Sequence, residues 1–150
     1  MTDLDAARAE LERRQGAVLD ALLAGEVPAG FDPVTTRAAG AQLRGKRRYE
    51  AAQAVPVLAA LPDFRGRFDA WARTGPRAGC AGEDAAAFVA ALAAEGPLPR
   101  PLSDWWRLEQ VRAGRRRVTF VQRAGRRELA VGLGRWTWHL ALRRERDTDL

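Results

Sequence analysis

GRRRVTFVQRAGRRELAVGLGRWTWHLAL, residues 114–142, decides the fold, because its apolar residues recur at every second position where the preceding chain repeats at helical spacing. Val118 and Phe120 alternate with Thr119 and Val121. Ala124-Gly125 suits a tight turn, Leu129, Val131 and Leu133 alternate on the return, and Gly134 marks a second turn or bend. Trp136, Trp138, Leu140 and Leu142 then share one face of a third strand, opposite Arg135, Thr137, His139 and Ala141. The pattern predicts a three-stranded antiparallel meander, with Asp147 to Leu150 a frayed tail. A sheet with one apolar face needs cover. The Trp and Leu row is therefore expected to pack on helices, against Trp105 and Trp106.

Upstream, the signals are those of helices. Leu4, Leu11, Val18, Leu19, Leu22 and Leu23 define a first helix over Asp5 to Ala24, closed by Gly25. Asp32 followed by Pro33 is a strong start for a second, running to about Ala54. Pro56 predicts a kink or a short separate turn, and Asp63 caps a segment lined by Phe64, Phe68 and Trp71. Gly75-Pro76 ends it. Glu83 to Ala94 forms another helix, with Phe88, Val89 and Leu92 inward, and Ser103 is read as the N-cap of a last short helix ending near Gly114. The fold class is α+β. An N-terminal helical bundle over residues 1–114 precedes a basic C-terminal three-stranded antiparallel sheet, residues 115–150, packed on the helices.

Composition narrows the chemistry. The 150 residues include one Cys, Cys80, and one His, His139, so neither a disulfide framework nor a zinc site of Cys and His ligands can form within the chain. Cys80 lies in a small-residue stretch with no local His to activate it. No catalytic, metal-binding or cofactor-binding residue is assigned, and a non-enzyme is expected. The glycines of GLGRW join two strands and open no helix, so they do not form a phosphate cradle. The N-terminus is acidic and amphipathic, and no run of about 18 apolar residues occurs. A cytoplasmic protein without membrane insertion is the expectation.

Net charge is +6, unevenly spread: residues 1–75 carry 11 basic and 10 acidic side chains, residues 107–146 carry 12 Arg against Glu109, Glu128 and Glu145. Arg44, Lys46, Arg47 and Arg48 read either as a phosphate-contacting patch or as the solvated face of the second helix. The hairpin carries the sharper signal. Arg115, Arg116 and Arg117 precede the first strand, Arg126 and Arg127 follow the turn, and an extended peptide could add a strand beside Val118, Phe120 and Val121. These eight residues form the expected peptide-binding site. The competing reading is an edge protected from aggregation by Arg.

The order of segments resembles a family known from peptide-modification operons, the small partner proteins of multinuclear non-haem iron-dependent oxidative enzymes, part of which carries a DNA-binding-domain label. The resemblance rests on ERRQGAVLDALLAG (12–25), GFDP (30–33), AVPVLAALPDFRGRFDAWARTGP (54–76), FVAALAAEGPLP (88–99) and SDWWRLEQVRAG (103–114). Gln15, Leu19, Pro56, Leu61, Leu108 and Glu109 carry the matching layout, and the basic C-terminal part resembles the shorter actinobacterial type. The resemblance implies a partner protein that recruits a ribosomally made precursor peptide to the iron enzyme, with the metals on the enzyme. The alternative is a basic nucleic-acid-binding protein making non-specific phosphate contacts.

Overall fold

Short-range backbone chemistry sets the helix boundaries. The computed structural model describes residues 3–75, 79–123, 126–133 and 136–141. Helices α1 (Asp3–Ala24), α2 (Pro33–Ala54), α3 (Phe64–Thr74), α4 (Ala81–Glu95) and α5 (Arg100–Arg112) precede strands β1 (Val118–Arg123), β2 (Arg126–Leu133) and β3 (Trp136–Ala141). This is the expected α+β order. The Asp32 carboxylate accepts the Thr35 N–H at 2.7 Å, with Pro33 in the first turn of α2. Pro56 starts a 3-10 turn, Pro56–Ala60, and Asp63 caps α3. The N-cap assigned to Ser103 is corrected: α5 begins at Arg100 behind Pro99, and the Ser103 N–H donates to the Pro99 carbonyl at 2.8 Å. Pro101 fits the first turn because an N–H there would lack an intrahelical acceptor. The expected turns at Ala124-Gly125 and Gly134, the Pro76 stop, Leu142 and the C-terminal tail lie outside the described residues.

The chain divides into two compact units, Met1–Phe88 and Val89–Leu150. The first is built around Phe68, Phe88 and Leu58, all fully buried. Phe64, Phe68, Trp71 and Phe88 meet at centroid separations of 5.0–6.0 Å in tilted and edge-on pairs. The basic run on α2 is neither a phosphate patch nor a wet face. Arg44 is buried, and its Nη1 donates to the carbonyls of Leu22 (3.2 Å) and Leu23 (3.0 Å) at the end of α1. Arg47 pairs with Asp84 and Arg48 with Asp69, leaving Lys46 with its exposed Glu50 partner. Burial first, then the charge of Arg73, pushes the Arg44 pKa below its ordinary value. Helix α2 meets α1 closely at Gly40, where a β-carbon would collide with the Leu22 oxygen and would stand 3.3 Å from Arg44 Nη1.

In the second unit the sheet order is β1-β2-β3, antiparallel throughout, with Phe120 opposite Leu129 and Leu129 opposite Leu140. Alternation gives the sheet two unlike faces. The inner face, with Thr119, Val121 and Ala130 buried, meets α5 at Gly132, where a β-carbon would stand 2.9 Å from Val111 Cγ1. The outer face holds Val118, Phe120, Leu129, Val131, Leu133, Trp136, Trp138 and Leu140. The expectation that the Trp and Leu row packs on helices is therefore overturned: Trp136, Trp138 and Leu140 are 62%, 64% and 55% exposed. Small residues decided which face the helix covers. Trp105 and Trp106 stack on each other instead, 6.4 Å apart.

Candidate functional site

Arg100, Ser103, Asp104, Arg107 and Gln110 recur three and four residues apart, so they fall along one side of α5. Two adjoining cavities open there. One, about 390 Å³, is lined by Trp106, Gln110, Arg115 and Arg116; the other, about 570 Å³, by Arg100, Asp104, Phe120, Gln122 and Arg127. Leu98, Ser103 and Arg107 line both, which makes them one groove within the second unit. Its charged lining is five arginines (Arg100, Arg107, Arg115, Arg116, Arg127) and one carboxylate, Asp104. Guanidinium groups in such an arrangement hold carboxylates or phosphates.

Strand β1 is an edge of the sheet. The Gly132 N–H donates to the Arg117 carbonyl at 2.7 Å, which sets the phase of the ladder: Thr119 and Val121 exchange bonds with β2, while Val118, Phe120 and Gln122 turn their N–H and C=O groups outward. Gln122 donates its outward N–H to Asp104 Oδ2 at 3.2 Å. Among the described residues no fourth strand pairs with the outward groups of Val118 and Phe120.

The residues read as a peptide site are thus distributed unevenly. Arg115 and Arg116 line the first cavity, their N–H groups both donating to the Gln110 carbonyl (2.9 and 3.0 Å) as the chain leaves α5. Phe120, Val121 and Arg127 line the second, Val121 with a buried side chain. Arg117, Val118 and Arg126 are exposed outside both. The sequence reading missed the α5 wall entirely. The recurrence of Arg100, Asp104 and Arg107 was a legible signal; their meeting with the β1 edge was not. Among the described residues no group of three His, Cys, Asp or Glu gathers as metal ligands would, and no helix is long and apolar enough to cross a membrane. His139 Nδ1 lies 3.4 Å from Glu128.

Comparison with known proteins places the helical part. Residues 12–94 match the family model described as SCO6045-like, C-terminal domain, which is more than half of the chain. The chain belongs to that family. The SCO6045-like match runs from within α1 almost to the end of α4, so the groove-lining residues, beyond Ala93, and the sheet lie outside it. No curated protein and no solved structure matches the chain.

Proposed function

We propose that this protein is a non-catalytic partner that recruits a ribosomally made precursor peptide to a multinuclear non-haem iron oxidative enzyme. The observation that carries the reading is the juxtaposition of an open strand edge with an Arg-lined groove. A peptide pairing with Val118 and Phe120 gains backbone hydrogen bonds, and those of its side chains that fall on the α5 side meet Arg107, where a carboxylate fits. The match to the SCO6045-like family, over residues 12–94, covers the segments 12–25, 30–33 and 54–76 on which the resemblance to the enzyme partners rests, and not the segment 103–114. The metals and the oxidative chemistry belong to the enzyme in this reading.

The test is fluorescence anisotropy of a labelled extended peptide alternating Val and Glu, with duplex DNA as competitor at two salt concentrations. Peptide binding that withstands DNA and is abolished by N-methylating alternate residues in one frame only supports strand addition. Binding insensitive to methylation in either frame sinks it. The second reading, non-specific nucleic-acid binding, draws on the same five arginines. It requires DNA capture whose log affinity falls with log salt by roughly 0.9 per duplex phosphate neutralised.

A further inference from the structure

We infer that the groove reads a peptide at its free C-terminus: the guest lies antiparallel to β1, and its α-carboxylate enters the cavity lined by Arg107, Arg115 and Arg116. The inference rests on the strand-addition reading and deepens it by naming the part of the peptide that is held.

The free stretch of edge is short. The Gln122 N–H is given to Asp104 and the Arg116 N–H to the Gln110 carbonyl, so Val118 and Phe120 are left between them for a guest backbone. Guest and host advance together at about 3.3 Å per residue, so two residues past the partner of Val118 the guest stands opposite Arg116. Residues 113–117 carry the chain from the end of α5 to the start of β1, and Arg115 and Arg116 sit in that connection. Helix, connection and strand therefore meet at this end of the groove, and a guest that reaches it must stop or turn away. The cavity there, about 390 Å³, also has Ala93 in its wall, from the last turn of α4.

Charge selects which end of the guest stops there. Three arginines and no carboxylate line this cavity, whereas Asp104 lines the half beside Gln122. Arg107 has Asp104 at 4.0 Å, but among the described residues no carboxylate pairs with Arg115 or Arg116. A parallel guest would bring its N-terminal ammonium to these guanidinium groups; an antiparallel guest brings its carboxylate. The antiparallel ladder is also the more stable per residue. An α-carboxylate suits the cavity better than a Glu side chain, because it is fixed to a backbone already held by β1 and gives up no side-chain rotamers on binding. Leu98 and Trp106 add apolar wall for the last side chain.

The experiment uses the full chain and the Val/Glu peptide, labelled at its N-terminus and made either as the free acid or as the C-terminal amide, read by anisotropy. The free acid is expected to bind at least about tenfold more tightly than the amide. Arg115→Gln with Arg116→Gln is expected to reduce that ratio below about threefold while leaving the affinity for the amide within about twofold. Arg65→Gln, at an exposed site on α3 in the first unit, is expected to change neither. Circular dichroism confirms that the variants fold, and the comparison of acid with amide on the parent needs no variant. Equal binding of acid and amide by the parent overturns the C-terminal assignment and leaves strand addition standing. So does a ratio that the double variant preserves, which assigns the preference to the general positive field. Failure of both peptides to bind overturns the strand-addition reading and this inference with it.

Discussion

Arg47 and Asp84 are joined by two hydrogen bonds of 2.8 Å, one from Nε and one from Nη2, which tie the middle of α2 to the first turn of α4. Their side chains are only 12% and 8% exposed, and the guanidinium also lies 5.4 Å from the Trp71 ring centre. Removing one partner leaves a charge stranded in the interior. Asp84→Ala is expected to cost about 3–5 kcal/mol in urea unfolding, whereas Arg47→Met with Asp84→Leu recovers most of the loss. A cost below about 1 kcal/mol for Asp84→Ala would mean that water reaches the pair.

Gly40 and Gly45 lie on the same helix and should respond oppositely to Ala. At Gly40 the new β-carbon collides with the Leu22 carbonyl, a backbone atom that cannot swing aside, so Gly40→Ala should destabilise by about 1–3 kcal/mol. At Gly45 the nearest neighbour is the mobile end of Arg48, 3.8 Å away. Gly45→Ala should stabilise by up to about 1 kcal/mol through helix propensity. Melting temperatures that move in the same direction for both would contradict this packing of α1 on α2.

The Asp32 carboxyl is held below its ordinary range, chiefly by the Thr35 N–H and then by the Thr35 side chain. A carboxyl with a depressed folded-state pKa contributes its full stabilisation above the unfolded-state value, and that contribution disappears as pH falls through the folded value. Asp32→Asn keeps an acceptor at the cap but cannot titrate. Below about pH 4 the stability difference between the parent and Asp32→Asn should therefore narrow. Thermal melts across pH 2–6 would show this, and a gap that stays constant over that range would refute it.

Arg107 borders both halves of the groove, so Arg107→Glu should weaken binding of the Val/Glu peptide more than reversal at any site bordering one half. The expected loss is about tenfold, falling as salt rises. Arg126, outside both cavities, should change affinity less than about threefold when reversed. Anisotropy titrations that rank Arg126 above Arg107 would relocate the site to the hairpin tip.

Local chemistry was the legible part of the fold. Asp32-Pro33, Pro56 and Asp63 announced their turns, and period-two alternation announced β1, β2 and β3, because caps and strand faces depend on neighbours in sequence. Alternation separates two faces without saying which one is covered. The expectation that the larger apolar row goes inside failed because α5 needs Ala130, Thr119 and Gly132 to come close. Arg44, Arg47 and Arg48 read as surface charge because their acceptors, the Leu22 and Leu23 carbonyls, Asp84 and Asp69, are 21 or more residues away. The groove was half legible for the same reason: its arginines stand out in sequence, but the α5 wall beside the strand edge exists only after folding.

Asp104 gives the β1 edge an end stop. By taking the Gln122 N–H it terminates the open rungs after Phe120, and the Arg116 N–H, given to the Gln110 carbonyl, closes the other end, so a strand arriving there must fall into phase with Val118 and Phe120. An edge that ends in a side-chain carboxylate measures its guest: it accepts a short segment in one frame, and it denies an aggregating strand the full length of β1 as a template.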